Sequence, residues 1–129
     1  MRATVLVADD DAEQLGEMRE FLSNAGFDVI TANDGFHAIE QIAAHGPKVI
    51  LLDVNMPGWD GVRVAEAASN LDHRAVIILM TADESALKYA ITSESGAVGA
   101  FAKPVQLDKL LGFLESVVGR SSVEALRAN

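Results

Sequence analysis

Short apolar runs alternate with amphipathic segments along most of the chain. The apolar runs are bounded by turn residues and predict five buried strands, at residues 5–8, 27–32, 49–53, 75–80 and 98–102. The segments between them carry apolar residues at the spacing of one helix face. They predict five helices. The first is capped by Asp11 and ended by Gly26, the second has its apolar stripe at residues 36–43 and is stopped by Gly46-Pro47, and the third covers about 60–70. The fourth is marked by Leu87, Ala90 and Ile91 and ended by Gly96, and the fifth covers 107–118. This alternation indicates βαβ units, and therefore a parallel sheet with helices on both faces.

The strand at residues 49–53 stands at the centre of this pattern. Its apolar residues run directly into the carboxylate of Asp53, and a turn rich in Pro and Gly follows. Open α/β sheets bind their ligands at the carboxyl ends of their strands, which is where Asp53 stands. Asp53 could instead cap the next helix, but Pro57 and two glycines place the start of that helix nearer Asp60.

Three other predicted strands also end in polar residues. Asp9 and Asp10 follow the first strand, Thr81 follows the fourth, and Lys103 follows the fifth. Parallel connections bring these strand ends to one edge of the sheet, so residues far apart in sequence are expected in one pocket. Taken singly, each has an ordinary structural role, as an acidic helix start, a helix cap or a solvated lysine. Their joint occurrence at successive strand ends favours a functional site.

The residue types at this edge suggest phosphoryl-transfer chemistry. Three carboxylates repel one another unless a cation joins them, and Mg²⁺ prefers carboxylate and phosphate oxygens together. Mg²⁺ and Lys103 would balance the negative charges of Asp9, Asp10 and Asp53. A carboxylate can also act as a nucleophile and form an aspartyl-phosphate. Mg²⁺, the Lys103 ammonium and the Thr81 hydroxyl would then stabilise charge on the transferred group.

Length and composition fit a single domain without disulfides. The chain has 129 residues, half of them hydrophobic, and no cysteine. It has no apolar run long enough to span a membrane, and Met1 to Thr4 lead straight into the first strand rather than into a secretory signal. We therefore expect a cytoplasmic protein that does not contact membrane. The formal net charge of -9 argues against direct nucleic-acid binding and favours a cation or a partner with a basic face.

The motifs resemble the receiver domain of two-component response regulators, over about residues 5–118. The resemblance is carried by Asp9-Asp10 after an apolar strand, Asp53 followed by Met56-Pro57 and Asp60-Gly61, Thr81-Ala82, and Lys103-Pro104. It implies a flavodoxin-like, doubly wound sheet of five parallel strands in the order 2-1-3-4-5 with five helices. The receiver domain would occupy residues 1–119, and residues 120–129 would form a tail or linker.

The resemblance also implies a metal site. Asp10 and Asp53 would bind Mg²⁺ directly, Asp9 would act partly through water, and the backbone carbonyl of Asn55 would be a further ligand. Asp53 resembles the phosphoacceptor, which takes a phosphoryl group from phosphohistidine on a sensor histidine kinase or a histidine phosphotransfer protein.

Three further residues have roles implied by the resemblance. Thr81 would meet a phosphoryl oxygen after activation, and Lys103 would pair with the acidic cluster. Pro104 stands where the family usually has a cis peptide bond.

Two other functions compete with this interpretation. Haloacid-dehalogenase-like phosphatases and phosphotransferases also form an aspartyl-phosphate, but they need an acid/base carboxylate at the position that Asn55 occupies here. A docking domain that is not phosphorylated would not need the intact set of site residues. We therefore expect a signalling phosphoacceptor rather than an enzyme, with weak phosphorylation from small donors and weak self-dephosphorylation. It would control a downstream protein or an output domain, alone or within a larger regulator, as a monomer or a phosphorylation-dependent dimer.

One position departs from the family pattern. Most receivers carry Tyr or Phe three residues before the lysine of the fifth strand, where this chain has Ala100. Phe101 is adjacent, but neighbouring strand side chains point to opposite faces, so Phe101 should share the face of Lys103. We expect activation to move residues 82–85 and the helix that follows, without an inward swing of an aromatic ring.

Overall fold

A parallel β-sheet forms the centre of the chain in the computed structural model, which describes residues 3–58, 61–72, 74–83, 85 and 96–118. Its strands are β1 (Thr4–Ala8), β2 (Asp28–Ala32), β3 (Val49–Asp53), β4 (Val76–Thr81) and β5 (Ala97–Ala102). They lie in the order β2-β1-β3-β4-β5, and every neighbouring pair is parallel. This confirms the predicted strands to within a residue or so at their ends, and it confirms the flavodoxin-like strand order.

Within the described residues the sheet is accompanied by four helices. They are α1 (Ala12–Asn24), α2 (Gly35–His45), α3 (Gly61–Leu71) and α4 (Leu107–Val118). Asp11 caps α1 by accepting hydrogen bonds from two backbone N–H groups of the first turn, and Asp34 caps α2 by accepting one from the N–H of His37. Gly46 ends α2 in the left-handed conformation, with φ of 55°. The helix predicted around residues 87–91 and the tail predicted from residue 120 lie outside the described residues.

The apolar core has two layers because side chains alternate across the strands. Ile50 and Leu52 of β3 pack towards α2 and α3, whereas Val49 and Leu51 pack towards α1 and α4. We call these layers the α2–α3 cluster and the α1–α4 cluster. All five residues of β3 are buried, including Asp53, which explains why the strand carries no polar residue before its last position.

The edge strand β5 contains a bulge that the sequence pattern did not predict. Ile77 of β4 lies opposite Ala97, but Ile78 lies opposite Gly99, so Val98 is an extra residue and is 53% exposed. After the bulge, Ala100 packs against the α2–α3 cluster and Phe101 against the α1–α4 cluster. The two residues therefore point to opposite faces of the sheet, as expected.

No helix among the described residues is both long enough and apolar enough to cross a membrane.

Candidate functional site

The predicted site residues meet at the carboxyl-end edge of the sheet. Asp53 ends β3 and Thr81 ends β4, while Asp9 and Lys103 directly follow β1 and β5. The ladder of hydrogen bonds continues past the strand ends, because the Asp9 N–H donates to Ala32 O at 3.1 Å and the Lys103 N–H donates to Thr81 O at 2.8 Å. These backbone bonds hold the site residues in the register of the sheet.

Lys103 joins the two buried carboxylates. Its Nζ donates to Oδ2 of Asp9 at 2.8 Å and to Oδ2 of Asp53 at 3.0 Å. Alternation along the strands explains this meeting, because Asp9, Asp53 and Lys103 all continue rows of side chains that point towards the α1–α4 cluster. Among the described residues, the buried polar or charged residues are Asp9 (3% exposed), Asp53 (4%) and Thr81 (0%). Buried polar groups are uncommon, so their concentration at one edge marks a specialised place in the molecule.

The remaining oxygen of each buried carboxylate binds a backbone N–H group. Oδ1 of Asp9 accepts from the N–H of Asp11 at 2.9 Å, and Oδ1 of Asp53 accepts from the N–H of Asn55 at 3.1 Å. These hydrogen bonds, each within a local turn, fix the orientation of both carboxylates. They also supply part of the hydrogen bonding that a carboxylate loses when it leaves water.

Burial and hydrogen bonding together set the pKa values of Asp53 and Lys103. Burial raises the pKa of Asp53 above its usual 3.8, although hydrogen bonds from Lys103 and Asn55 favour the ionised form. Burial alone would lower the pKa of Lys103, but hydrogen bonds to Asp9 and Asp53 outweigh it and raise this pKa above 10.5. With both carboxylates ionised, one lysine leaves an excess of negative charge that a further cation can neutralise.

The acidic group has the donor atoms of a hard-cation site. Asp9, Asp10 and Asp53 each offer a carboxylate oxygen, and these oxygens lie within 4.8 Å of one another. Asp10 is exposed, so the group opens to solvent on one side. Oxygen donors with room for water fit Mg²⁺ better than the softer transition metals. The predicted fourth ligand, Asn55, is exposed and follows Asp53 in the same turn.

Thr81 is at this edge, but its hydroxyl belongs to a different group of hydrogen bonds. Its Oγ1 accepts from the N–H of Asp83 at 3.1 Å. The Asp83 carboxylate in turn accepts from the N–H of Ser85 at 3.0 Å and from the Ser85 hydroxyl at 2.7 Å. In this structure the threonine hydroxyl is thus bonded to the turn that follows β4.

The peptide bond between Lys103 and Pro104 is cis.

Gly61 had no predicted role of its own, yet it touches the backbone of the site. A Cβ atom placed on Gly61 would lie 2.4 Å from the carbonyl oxygen of Asp53. In the sequence this glycine stands out only as part of the Asp60-Gly61 motif of the family resemblance. No local pattern reveals the contact, because only the packing of α3 against the end of β3 creates it.

The chain matches a known domain family and several of its members. The family described as the response regulator receiver domain matches residues 5–115. The transcriptional regulatory protein PrrA of Mycobacterium tuberculosis is 34% identical over 116 residues, which cover 90% of this chain and 50% of that protein. The chain spans about half the length of the curated relatives it matches.

Solved structures of the same fold agree with this match. The chemotaxis protein CheY4 of Vibrio cholerae superposes with a TM-score of 0.83 at 30% identity, covering 91% of this chain and 99% of that one. The response regulator protein TrrA of Thermotoga maritima, determined in complex with Mg²⁺-BeF, has a TM-score of 0.81 at 26% identity and covers 89% and 98%. The family match extends over nearly the whole described sheet and its helices. The chain therefore belongs to the response regulator receiver domain family of two-component systems.

Proposed function

We propose that Asp53 is the phosphoacceptor of this receiver domain and that the domain is a switch in a two-component phosphorelay. The observation that carries the proposal is the geometry around Asp53. Its buried carboxylate shares Lys103 with Asp9, and it lies within 4.8 Å of oxygens from Asp9 and Asp10. A carboxylate that is held in place, paired with a cation and part of an acidic group that opens to solvent at Asp10 is suited to attack a phosphoryl group.

In the proposed reaction, a carboxylate oxygen of Asp53 attacks the phosphorus of a phosphohistidine. The new bond joins oxygen to phosphorus, the bond from phosphorus to the imidazole nitrogen breaks, and the histidine keeps the electron pair. Lys103 already donates to Asp53, so it stands where its ammonium can stabilise charge on the incoming phosphoryl oxygens. The Thr81 hydroxyl, whose oxygen accepts from the Asp83 N–H, would donate its hydrogen to a phosphoryl oxygen, and this bond would signal the modified state.

Mg²⁺ is the cofactor that the donor atoms support. Asp9, Asp10, Asp53 and the Asn55 carbonyl would hold it, with Asp9 acting partly through water. When bound, the metal supplies positive charge that offsets the repulsion between the carboxylates and the phosphoryl oxygens. The Mg²⁺-BeF complex of the related protein TrrA is consistent with this assignment.

The partners follow from this chemistry. A sensor histidine kinase or a histidine phosphotransfer protein would supply the phosphoryl group in the cytoplasm. The receiver, residues 1–119, would pass the signal to a downstream protein or to an output domain beyond the linker at 120–129. The relative PrrA is named a transcriptional regulatory protein and is about twice as long, but the net charge of -9 disfavours DNA binding by the receiver part itself. The domain would act as a signalling phosphoacceptor rather than as an enzyme with an external substrate, as a monomer or as a phosphorylation-dependent dimer.

The test is intact mass after incubation with a small phosphodonor and Mg²⁺. The unmodified chain should gain the mass of one phosphoryl group, and Asp53→Asn should gain none, because the amide is not a nucleophile. Asp11→Asn is the matched control. It changes an aspartate of the same acidic run, preserves the cap of α1, and should leave labelling intact. A substantial modified fraction in Asp53→Asn would show that the acceptor is another residue.

A further inference from the structure

We infer that Gly61 is a positioning residue for the phosphoacceptor. Its lack of a side chain lets α3 begin directly against the peptide that links Asp53 to Val54, and this contact holds the Asp53 carboxylate and the Asn55 carbonyl in place. The inference rests on the proposed function, because it concerns the residues that would hold Mg²⁺ and receive the phosphoryl group.

The contact leaves no space for a methyl group. A Cβ atom on Gly61 would lie 2.4 Å from the carbonyl oxygen of Asp53, 2.7 Å from Cα of Val54 and 2.9 Å from the carbonyl carbon of Asp53. All three neighbours are backbone atoms, so no change of rotamer can relieve the overlap. Gly61 is not among the described glycines with positive φ, so space rather than backbone conformation requires a glycine here.

Two hydrogen bonds fix the residue that lies between α3 and the sheet. The N–H of Gly61 donates to the carbonyl of Val54 at 2.8 Å, and the N–H of Val54 donates to the carbonyl of Met80 in β4 at 2.8 Å. Val54 is therefore held by the start of α3 on one side and by the central sheet on the other.

This fixed peptide leads directly to the reacting group. Asn55 follows Val54, and the N–H of Asn55 donates to Oδ1 of Asp53 at 3.1 Å. A shift of the Val54 peptide would move the donor that aims the Asp53 carboxylate, and it would move the carbonyl of Asn55 as well. Displacements of about 1 Å in such positioned groups can cost on the order of a hundredfold in rate.

The test compares two substitutions in the same helix. Gly61→Ala introduces the overlap, whereas Val64→Ala removes buried apolar volume from the α2–α3 cluster without adding atoms near Asp53. For each variant we would measure Mg²⁺ affinity by titrating the backbone amide signal of Asn55 in NMR spectra, the phosphorylation rate with a small donor at saturating Mg²⁺, and unfolding by urea.

We expect Gly61→Ala to bind Mg²⁺ more weakly and to be phosphorylated at least about tenfold more slowly than the unmodified chain. Val64→Ala should stay close to the unmodified chain in both readouts, although it is destabilised. Gly16→Ala and Gly112→Ala are further controls, because either added Cβ would meet no atom within 4 Å beyond its chain neighbours and the nearby backbone of its own helix, and both should react normally. If Gly61→Ala alone is too unstable, it can be measured in the background of these two alanines, which favour the helices that contain them.

Two results would overturn the inference. If Gly61→Ala and Val64→Ala lose Mg²⁺ affinity and phosphorylation rate equally, Gly61 contributes only to stability. The same conclusion follows if Gly61→Ala keeps the Mg²⁺ affinity and the phosphorylation rate of the unmodified chain. If the unmodified chain itself neither binds Mg²⁺ nor accepts a phosphoryl group, the proposed function fails together with this inference. The unmodified chain thus separates the two kinds of failure.

Discussion

At the scale of single residues, the main feature of the site is that burial makes the Asp53 carboxyl costly to ionise. The residue is 4% exposed, and its hydrogen bonds from Lys103 and Asn55 do not fully replace the lost hydration, so its pKa is raised. Lys103 keeps its proton for the opposite reason, because two carboxylates accept hydrogen bonds from it and outweigh its own burial. The site thus combines a carboxylate that is costly to ionise with a lysine that stays charged. A bound cation, or a phosphoryl group on Asp53, would change this balance.

This balance predicts a pH-dependent effect of Asp53→Asn on stability without Mg²⁺. Because the native pKa of Asp53 is raised, this carboxyl favours the folded state below its usual pKa of 3.8, and that contribution is lost as pH rises through the native pKa. The free energy of unfolding of Asp53→Asn should therefore increase relative to the unmodified chain as pH rises through this acid range, and the difference should then stay constant up to neutral pH.

Urea unfolding of both proteins at several pH values, with a chelator present, measures this difference. A difference that does not change with pH across the acid range would mean that the native pKa of Asp53 is not raised.

At the scale of elements, two strands determine which part of the fold can move on phosphorylation. These are β4, at its carboxyl end, and the edge strand β5. Phe101 packs edge to face on Phe113 of α4, with ring centroids 5.5 Å apart and planes at 76°. Gly99 makes room for this pair, since a Cβ atom there would lie 2.7 Å from Cζ of Phe113. The ring of Phe101 is thus packed within the α1–α4 cluster. Ala100, on the other face, has no side-chain rotamer to switch.

We therefore predict that phosphorylation moves the turn after β4 and leaves the Phe101–Phe113 pair in place. A Thr81 hydroxyl that moves to donate to a phosphoryl oxygen also moves the oxygen that accepts from the Asp83 N–H, and we expect this movement to reach Ser85 through the Asp83 carboxylate. Structures with and without beryllofluoride and Mg²⁺ would measure the shift of residues 82–85 and the distance between the two ring centroids. A swing of Phe101 between exposed and buried positions, with the turn unchanged, would contradict this prediction.

At the scale of the whole molecule, the chain carries a large excess of negative charge. The formal net charge is -9, and three of the carboxylates approach one another at the proposed metal site. A cation that binds only the folded state stabilises it by mass action, and it also removes repulsion among these carboxylates.

We predict that Mg²⁺ raises the free energy of unfolding by about 2.7 kcal/mol at a free concentration one hundred times its dissociation constant. Denaturation with urea over a Mg²⁺ series checks the dependence on concentration. NaCl at matched ionic strength is the control, because general screening of the net charge would act equally in both salts. Equal stabilisation by both salts would mean that no specific metal site contributes.

Local sequence patterns were sufficient to predict the five strands, the four helices of the described residues and the edge where the site lies. Burial on both faces forces a run such as Val49 to Leu52 to be continuously apolar, and amphipathic helices must repeat their apolar residues at helical spacing. Both constraints act within a few residues, so they can be recognised in one sequence. Parallel connections then require Asp9, Asp53, Thr81 and Lys103 to share one edge of the sheet.

Only the tertiary structure decided how these residues meet. Lys103 binds both Asp9 and Asp53 because strand register and side-chain alternation place all three towards the α1–α4 cluster. The bulge at Val98 and the contact between Gly61 and the Asp53 carbonyl likewise come from packing between separate elements of the fold. Such contacts depend on displacements of a fraction of an ångström between whole elements, and no local pattern of apolar and polar residues carries that information.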